Sequence, residues 1–200
     1  DGASSLQCRS GCGRGDRTDF VTGFSELIVR HPKLAVQQML KYNSNKVDKV
    51  MEIQTAHFGL VEIDENKILT FENGLPGLED KDVFALISNE DSKPICWLQS
   101  LDTKEIALPV IDPFIICPDY SFDIPEDDIS ALEIKQIDDV YILSVLVIPQ
   151  VVSLMTVNLS APIIINVRNS KARQIILDDR KYSVRVSISE LLDKPAKDGK

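Results

Sequence analysis

The sequence predicts a mainly β protein: a small antiparallel β-barrel-like domain with one or two short helices, preceded by a partly disordered, partly helical N-terminal extension. Short runs of β-branched and aliphatic residues, separated by turn residues, recur from residue 51 onward. Several of these runs alternate apolar and polar residues, which is the period of a half-buried strand. A change of charge occurs near residue 50. We therefore divide the sequence into an extension (1–50), a β domain (51–188) and a flexible tail (189–200).

The extension differs from the rest of the chain in charge and composition. Residues 1–50 carry eight basic and five acidic residues, a net charge of +3, whereas 51–200 carry 14 basic and 26 acidic residues, a net charge of −12. Such a change of sign suggests two pieces of different origin or task. Residues 1–20 hold too little apolar surface to offset ordering entropy, which predicts disorder. Residues 20–41 look helical, with Pro32 at a first helical position.

The origin of the extension has two interpretations. The chain starts at Asp1, and Met51 opens a strand-like stretch after the polar run 42–46. These features favour an upstream extension or fusion remnant over residues 1–50. The alternative is a native N-terminal arm.

Strands account for most of the β domain. Glu62 and Asp64 alternate with Val61 and Ile63, which is typical of a strand with one buried face. The run Val140–Ile148 has almost no alternation, which predicts a strand buried on both faces. The predicted strands are 52–57, 60–64, 67–71, 83–88, 95–100, 106–111, 140–148, 154–158, 162–167, 173–178 and 182–187.

Turn residues separate the strands. Asn73–Gly77 contains two glycines that tolerate positive φ and a proline that fixes its own φ. Pro113 and Pro118 bound a short apolar piece. Pro125 precedes three acidic residues, which suits the first turn of a short helix ending near Glu133. Asn158 and Asn166 lie in apolar, strand-like contexts, where a hydrogen-bonded structural asparagine is expected.

Composition excludes several functional classes. No apolar run approaches the roughly 18 residues of a membrane-spanning helix, so we expect no membrane partner. The net charge of −9 argues against direct nucleic-acid binding. Four cysteines are too few for a disulfide scaffold, and the first thirty residues lack the apolar core of a secretory signal. We therefore expect a cytoplasmic protein.

No set of residues forms a catalytic, metal-binding or cofactor-binding pattern. The two histidines, His31 and His57, lack metal-ligand spacing, and Cys8 and Cys12 have no second half-site nearby. We therefore expect no enzymatic activity and no cofactor. Two rival classes stay open, a small β-barrel hydrolase and an RNA-binding barrel. The first needs Asp178, Asp179 and His57 in one cleft, and the second needs a single basic face with Tyr182, formed by Arg168, Lys171, Arg173, Arg180, Lys181 and Arg185.

Three segments of the β domain read MEIQTAHFGLVEIDENKILTFENGLPGLED (51–80), CWLQSLDTKEIALPVIDPFIICPDYSFDIPEDD (96–128) and MTVNLSAPIIINVRNSKARQIILDDRKYSVR (155–185). Together they resemble the FliW family of flagellar assembly factors. They occur in the family's order and spacing, whereas residues 1–50 have no counterpart. The sequence departs from the family pattern at Glu72 and Leu78, where Pro and Phe are frequent, and at Val157 and Ser160, where Ala and Leu are usual.

The resemblance implies a cytoplasmic, non-enzymatic β-barrel-like domain with two protein partners. One is CsrA, a small basic RNA-binding dimer that represses translation of flagellin mRNA. The other is flagellin, for which the family acts as a chaperone-like factor. When flagellin is exported, the released FliW-like protein binds CsrA and relieves repression. Binding one partner or the other would make the protein a partner switch.

Two sets of residues are candidates for partner binding. An acidic surface suits a basic partner because complementary charge raises the encounter rate. Flagellin is expected to use exposed apolar groups or an open strand edge, with core filling as the alternative role of the aromatic candidates. The acidic candidates are Glu62, Asp64, Glu65, Glu72, Glu79, Asp80, Glu126, Asp127 and Asp128, and the aromatic candidates are Phe114, Tyr120 and Phe122.

Overall fold

The structure is a computed structural model that describes residues 50–178 and 181–193. The predictions for residues 1–49 and 194–200 lie outside these ranges. The strands are β1 (Val50–Thr55), β2 (Gly59–Asp64), β3 (Ile68–Phe71), β4 (Val83–Ser88), β5 (Cys96–Ser100), β6 (Ala107–Ile111), β7 (Val140–Val147), β8 (Thr156–Val157), β9 (Ile163–Asn166), β10 (Lys171–Gln174) and β11 (Val186–Ser187). The helices are α1 (Pro113–Ile116), α2 (Glu126–Ala131) and α3 (Ile188–Leu192).

Seven of these strands close into a barrel. The order is β7-β6-β5-β4-β3-β10-β9, and β9 pairs back onto β7 from Val140↔Asn166 to Leu143↔Ile163. The pairings around the ring are antiparallel except that of β10 with β3, which is parallel. Closure pairs both edges of each ring strand, so the ring exposes no long edge. The predicted β-barrel-like domain is confirmed.

The barrel interior is filled by one residue face from every ring strand. Because side chains alternate along a strand, each strand sends alternate residues inward. The interior residues are almost entirely buried and apolar. They include Leu69, Phe71, Phe84, Leu86, Leu98, Val110, Tyr141, Leu143, Ile163, Ile165 and Ala172.

Two covers bury parts of the barrel's outer face. The antiparallel hairpin β1–β2 lies over β4 and β5, where Ile63 packs with Ala85 and Ile87. A second cover, formed by α1, α2 and the C-terminal residues, packs on the outward residues of β7 and β9, including Ile142 and Ile164. Consequently β7 is buried on both faces over most of its length, as its sequence predicts.

Tyr120 anchors the second cover. Its side chain is fully buried, and its hydroxyl donates a hydrogen bond of 2.7 Å to the Leu159 carbonyl. Its ring contacts the rings of Phe114, Phe122 and Tyr182 at centroid distances of 5.9, 5.2 and 4.6 Å. This aromatic cluster fixes the loop between α1 and α2 against the barrel.

Four elements differ from the sequence-based prediction. The predicted strand 182–187 is reduced to β11, Val186–Ser187, which pairs with the two-residue strand β8. In place of the predicted strand 173–178, β10 spans 171–174. It ends there because the Ile175 N–H donates to the Pro162 carbonyl, and Pro162 has no N–H with which to continue the ladder. Helix α1 was not predicted; Asp112 caps it by accepting a hydrogen bond from the Phe114 N–H at 2.9 Å. Helix α3 overlaps the predicted flexible tail. Ile188 and Leu191 pack on the core, so residues 189–192 are ordered structure rather than tail.

The turn after β3 gives a first prediction. Gly74 has φ +64°, and an added Cβ would lie 2.4 Å from the Leu78 carbonyl oxygen, whereas Gly77 has φ +85° and open space around its Cβ position. Gly77→Ala should cost about 1 kcal/mol from backbone strain alone. Gly74→Ala should cost about 3 kcal/mol because a steric clash is added. Urea denaturation of both variants measures the difference, and equal costs would contradict the tight turn.

Asp112 gives a prediction about pH. Burial raises the pKa of Asp112 to about 6, although the Phe114 N–H partly offsets this shift. Because the folded-state pKa lies above that of the unfolded chain, the native state retains a proton that the unfolded state has released. The stability contribution is therefore present at low pH and is lost as the pH rises through 6.

Asp112→Asn should abolish this dependence while keeping a capping oxygen. Between pH 7.5 and pH 5, the wild type should gain about 1.4 kcal/mol relative to the variant. Denaturation at several pH values measures this gain. The exposed Asp119→Asn is the control, and parallel pH profiles for the wild type and Asp112→Asn would disprove the assignment.

Candidate functional site

A polar groove lies where the turn after β3, the end of α2 and strand β10 meet. Its volume is about 220 Å³. The turn contributes Glu72 through Glu79, and the Gly77 N–H donates to the Glu79 carboxylate at 2.8 Å, which fixes the turn's shape. The lining residues are Glu72, Asn73, Gly74, Pro76, Glu79, Ala131, Leu132, Lys171, Ala172, Arg173 and Gln174.

Lys171 joins two elements across this groove. Its ammonium group lies 2.7 Å from the Glu72 carboxylate and 3.0 Å from the Glu133 carboxylate. The hydrogen bonds that Lys171 donates to Glu72 and then to Glu133 raise the pKa of Lys171, and the hydrogen bond from Lys171 lowers the pKa of Glu133. The two ion pairs of Lys171 therefore link the turn to the residues that follow α2.

Arg173, which also lines the groove, provides a second link. Its Nη1 donates to the Asp128 carboxylate at 2.8 Å, and the Asp128 side chain is only 17% exposed. With the amide oriented by its neighbours, the Asn73 oxygen accepts from Arg173 Nη2 at 3.2 Å. Lys171 and Arg173 are thus each held by carboxylates. We call the acidic residues at the groove, Glu72, Glu79, Asp128 and Glu133, its acidic rim.

A buried polar cluster beneath α2 sets the position of that rim. Asn166 is 2% exposed, and its amide donates to the Leu132 carbonyl at 2.8 Å and to the Glu133 carbonyl at 3.2 Å. Its side-chain oxygen accepts from the Arg168 N–H, and the Arg168 side chain pairs with buried Asp139. The predicted structural role of Asn166 is confirmed, as is that of Asn158, which accepts from two backbone N–H groups.

The structure brings some predicted acidic residues together and separates others. Glu72 and Glu79 line the groove, and Asp128 pairs with Arg173, which lines it as well. Glu126 and Asp127 occupy the exposed first turn of α2, where carboxylates also favour the helix dipole. Asp80 lies just beyond the turn and pairs with Lys81.

The remaining acidic candidates belong to the other cover. Glu62, Asp64 and Glu65 lie at the end of β2 and in the turn that follows, and Asp64 accepts from the Asn66 N–H. None of the three is among the groove-lining residues. The sequence missed Glu133, Lys171 and Arg173 because only the parallel pairing of β10 with β3 brings them beside the turn.

The aromatic candidates need correction. Phe114, Tyr120 and Phe122 are at most 8% exposed and belong to the core under the second cover. They cannot contact a partner in this fold, and core filling is their role. Core filling was the favoured role in the sequence, and the structure shows it for all three.

The rival functions gain no support from the described residues. His57 and Asp178 are exposed and neither lines the groove, whereas Asp179 lies outside the described ranges. Lys171, Arg173 and Arg168 are paired with carboxylates, so they do not present an uncompensated basic face. Over 50–178 and 181–193, no group of three potential metal ligands comes together. The same ranges contain no helix long and apolar enough to span a membrane.

Asn166 allows a test of how the rim is positioned. Asn166→Ala removes a buried amide that donates to the Leu132 and Glu133 carbonyls and accepts from the Arg168 N–H, so it should cost about 2 kcal/mol of unfolding free energy. Asn169→Ala is the control, because exposed Asn169 bonds the same Leu132 carbonyl at 3.2 Å yet should cost under about 0.5 kcal/mol. Chemical denaturation measures both values. Equal, small effects would show that the cluster does not hold the end of α2.

Comparison with known proteins places the chain in a family. The family profile described as FliW protein matches residues 52–188. A flagellar assembly factor FliW from Thermoanaerobacter pseudethanolicus is 43% identical over 143 residues, which are 71% of this chain and 95% of that protein. One from Thermosipho africanus is 44% identical over 133 residues, 66% of this chain and 92% of that protein.

A solved structure shows the same fold. The crystal structure of the flagellar assembly factor FliW superimposes with a TM-score of 0.65 and 31% identity, over 74% of this chain and 99% of that one. With the profile spanning 52–188 and relatives above 40% identity, the chain belongs to the FliW protein family.

Proposed function

We propose that this chain acts in flagellar assembly by binding other proteins, and that it is not an enzyme. The observation that carries the proposal is the FliW match across 52–188, with relatives named flagellar assembly factors. The candidate site supports a binding role. Its charged groups are engaged with one another, and it contains no nucleophile paired with a base.

The first proposed partner is CsrA, which the family resemblance describes as a small basic RNA-binding dimer. Residues 51–200 carry a net charge of −12, which would steer a basic partner toward the domain. Net charge speeds the encounter, but specific binding also needs a local surface whose charges complement those of the partner. The acidic rim of the groove and the first turn of α2 form one such surface.

Within this surface, Glu126 and Asp127 are the strongest contact candidates. Both are exposed, and neither forms an ion pair with another residue of the described ranges. In contrast, Asp128 is held by Arg173, and Glu72 and Glu133 are held by Lys171. An acid already paired within the chain has less charge to offer a partner. We therefore place the primary electrostatic contact at Glu126 and Asp127.

The second proposed partner is flagellin, bound in place of CsrA. The closed barrel limits how a partner strand could be added, because the ring strands are paired on both sides. Within the described residues, open edges are restricted to the hairpin β1–β2 and to β11. Export of flagellin would then free this chain to bind CsrA and relieve repression of flagellin mRNA.

Charge reversal on α2 tests the CsrA surface. Glu126→Lys with Asp127→Lys should slow association with CsrA about tenfold at low salt, because steering is lost. The difference should shrink at high salt, where the charges are screened. Surface plasmon resonance at several salt concentrations measures the rate.

The matched control is Asp91→Lys with Glu105→Lys. It makes the same change of net charge on exposed loops outside the groove. If both double variants slow association equally, net charge alone explains the effect. An unchanged rate for the α2 variant would remove this helix from the interface.

Flagellin competition tests the partner switch. Purified full-length chain and CsrA should co-elute in gel filtration, and excess monomeric flagellin should release CsrA as a separate peak. The physical reason is mutually exclusive occupancy, which makes each partner lower the apparent affinity for the other. Failure of the chain to bind flagellin, or a stable ternary complex, would contradict the switch.

A further inference from the structure

The segment 147–154 is exposed and lacks charge. Residues 140–167 form a stretch of 28 residues without Asp, Glu, Lys or Arg, in a chain where charged residues make up 26%. Most of this stretch is buried in β7, β8 and β9, which explains its composition there. The segment 147–154 lies on the surface, where a solvated turn ordinarily carries polar and charged side chains.

Five large apolar side chains of this segment face solvent. Val147, Val151, Val152 and Leu154 are 56–65% exposed, and Ile148 is 38% exposed. The turn is held by its own backbone, since Leu154 N–H donates to the Val151 carbonyl and Met155 N–H to the Val152 carbonyl. These apolar side chains are therefore exposed on an ordered turn, and Met155, the next residue, packs on the core.

Helix α3 extends this surface. The Ile188 N–H donates to the Met155 carbonyl at 3.1 Å, and α3 contacts both the 152–154 turn and α1. Its inward residues pack on the core, whereas Leu192 is 64% exposed. We call the resulting set the exposed apolar surface. It consists of Val147, Ile148, Val151, Val152, Leu154 and Leu192.

A surface of this kind is typical of a protein contact. Scattered exposed apolar residues need no explanation, but a cluster on adjoining elements marks an interaction site. The exposed residues are not needed to fill the core, because the inward residues of the same elements already pack on it. The outward residues are therefore available for binding.

Charge decides between a second copy and a different partner. Two copies meeting through this surface would bring together two domains, each with a net charge of −12 over 51–200. Glu190 lies in α3 and Asp193 directly follows it, whereas Arg185 directly precedes β11. A predominantly acidic border favours an occupant that is apolar at its centre and basic at its borders.

We propose that the exposed apolar surface docks an amphipathic segment of a protein partner, apolar on one side and flanked by Lys or Arg. A helix with residues at i, i+3, i+4 and i+7 on one side presents such a ridge. This site is built from elements other than the acidic groove. The inference goes beyond the proposed function, because it does not depend on CsrA or flagellin being the source of the segment.

The test uses the full chain and a fluorescent synthetic helix of about 18 residues, with Leu on one side and Lys on the other. Fluorescence anisotropy should show binding by the wild type. Val152→Ser with Leu154→Ser should weaken it at least about tenfold, since apolar area is lost without change of charge. The controls are Ile176→Ser and Leu60→Ser, which remove equally exposed apolar groups elsewhere and should leave binding within about twofold.

Three results would overturn the proposal. Equal binding by the wild type and Val152→Ser/Leu154→Ser would place the peptide elsewhere. Equal binding of a peptide with the same residues in scrambled order would indicate attraction by net charge alone. A wild-type dimer in light scattering that becomes a monomer in Val152→Ser/Leu154→Ser would identify a second copy as the occupant. Because neither CsrA nor flagellin is used, these results are independent of the tests of the proposed function.

Discussion

Pairing of β7 with β9 closes the barrel, and the rest of the structure depends on it. The four-residue register from Val140↔Asn166 to Leu143↔Ile163 converts an open sheet into a ring and fixes which side chains face inward. It also gives β7 two buried faces, one toward the interior and one toward the cover formed by α1, α2 and the C-terminal residues. The same register places Asn166 beneath the end of α2.

The candidate site follows from that geometry. Once Asn166 holds the Leu132 carbonyl, the end of α2 is fixed against β9, and Glu133 follows with φ +56°. Strand β10 then lies between β9 and β3, so Lys171 can reach Glu72 on one side and Glu133 on the other. Two partly exposed ion pairs contribute little to stability by themselves. Their value is positional, because they set the spacing of the acidic rim.

Most of the fold could be predicted from local sequence, and most of the site could not. Alternation and turn residues located every strand, since both signals act over a few neighbouring residues. The aromatic residues stood as partner-binding candidates with core filling the favoured role, because local pattern does not say which loop is folded back on the core, as Tyr120 is through Leu159. The groove was missed because it joins residues far apart in sequence, such as Glu72 and Lys171. The family resemblance added the expectation of a β-barrel-like domain, but it gave no strand order, and the pairing of β10 with β3 was not predicted.

The parallel pairing of β3 with β10 has a consequence for synthesis of the chain. Strand β3 ends at Phe71, and its partner β10 begins only at Lys171, so about a hundred residues must leave the ribosome between them. Until then the ring is a curled sheet with an open edge at β3 and an exposed interior. Long-range closure of this kind slows folding and prolongs the exposure of aggregation-prone surface. The last quarter of the β domain therefore decides whether the nascent chain becomes a barrel at all.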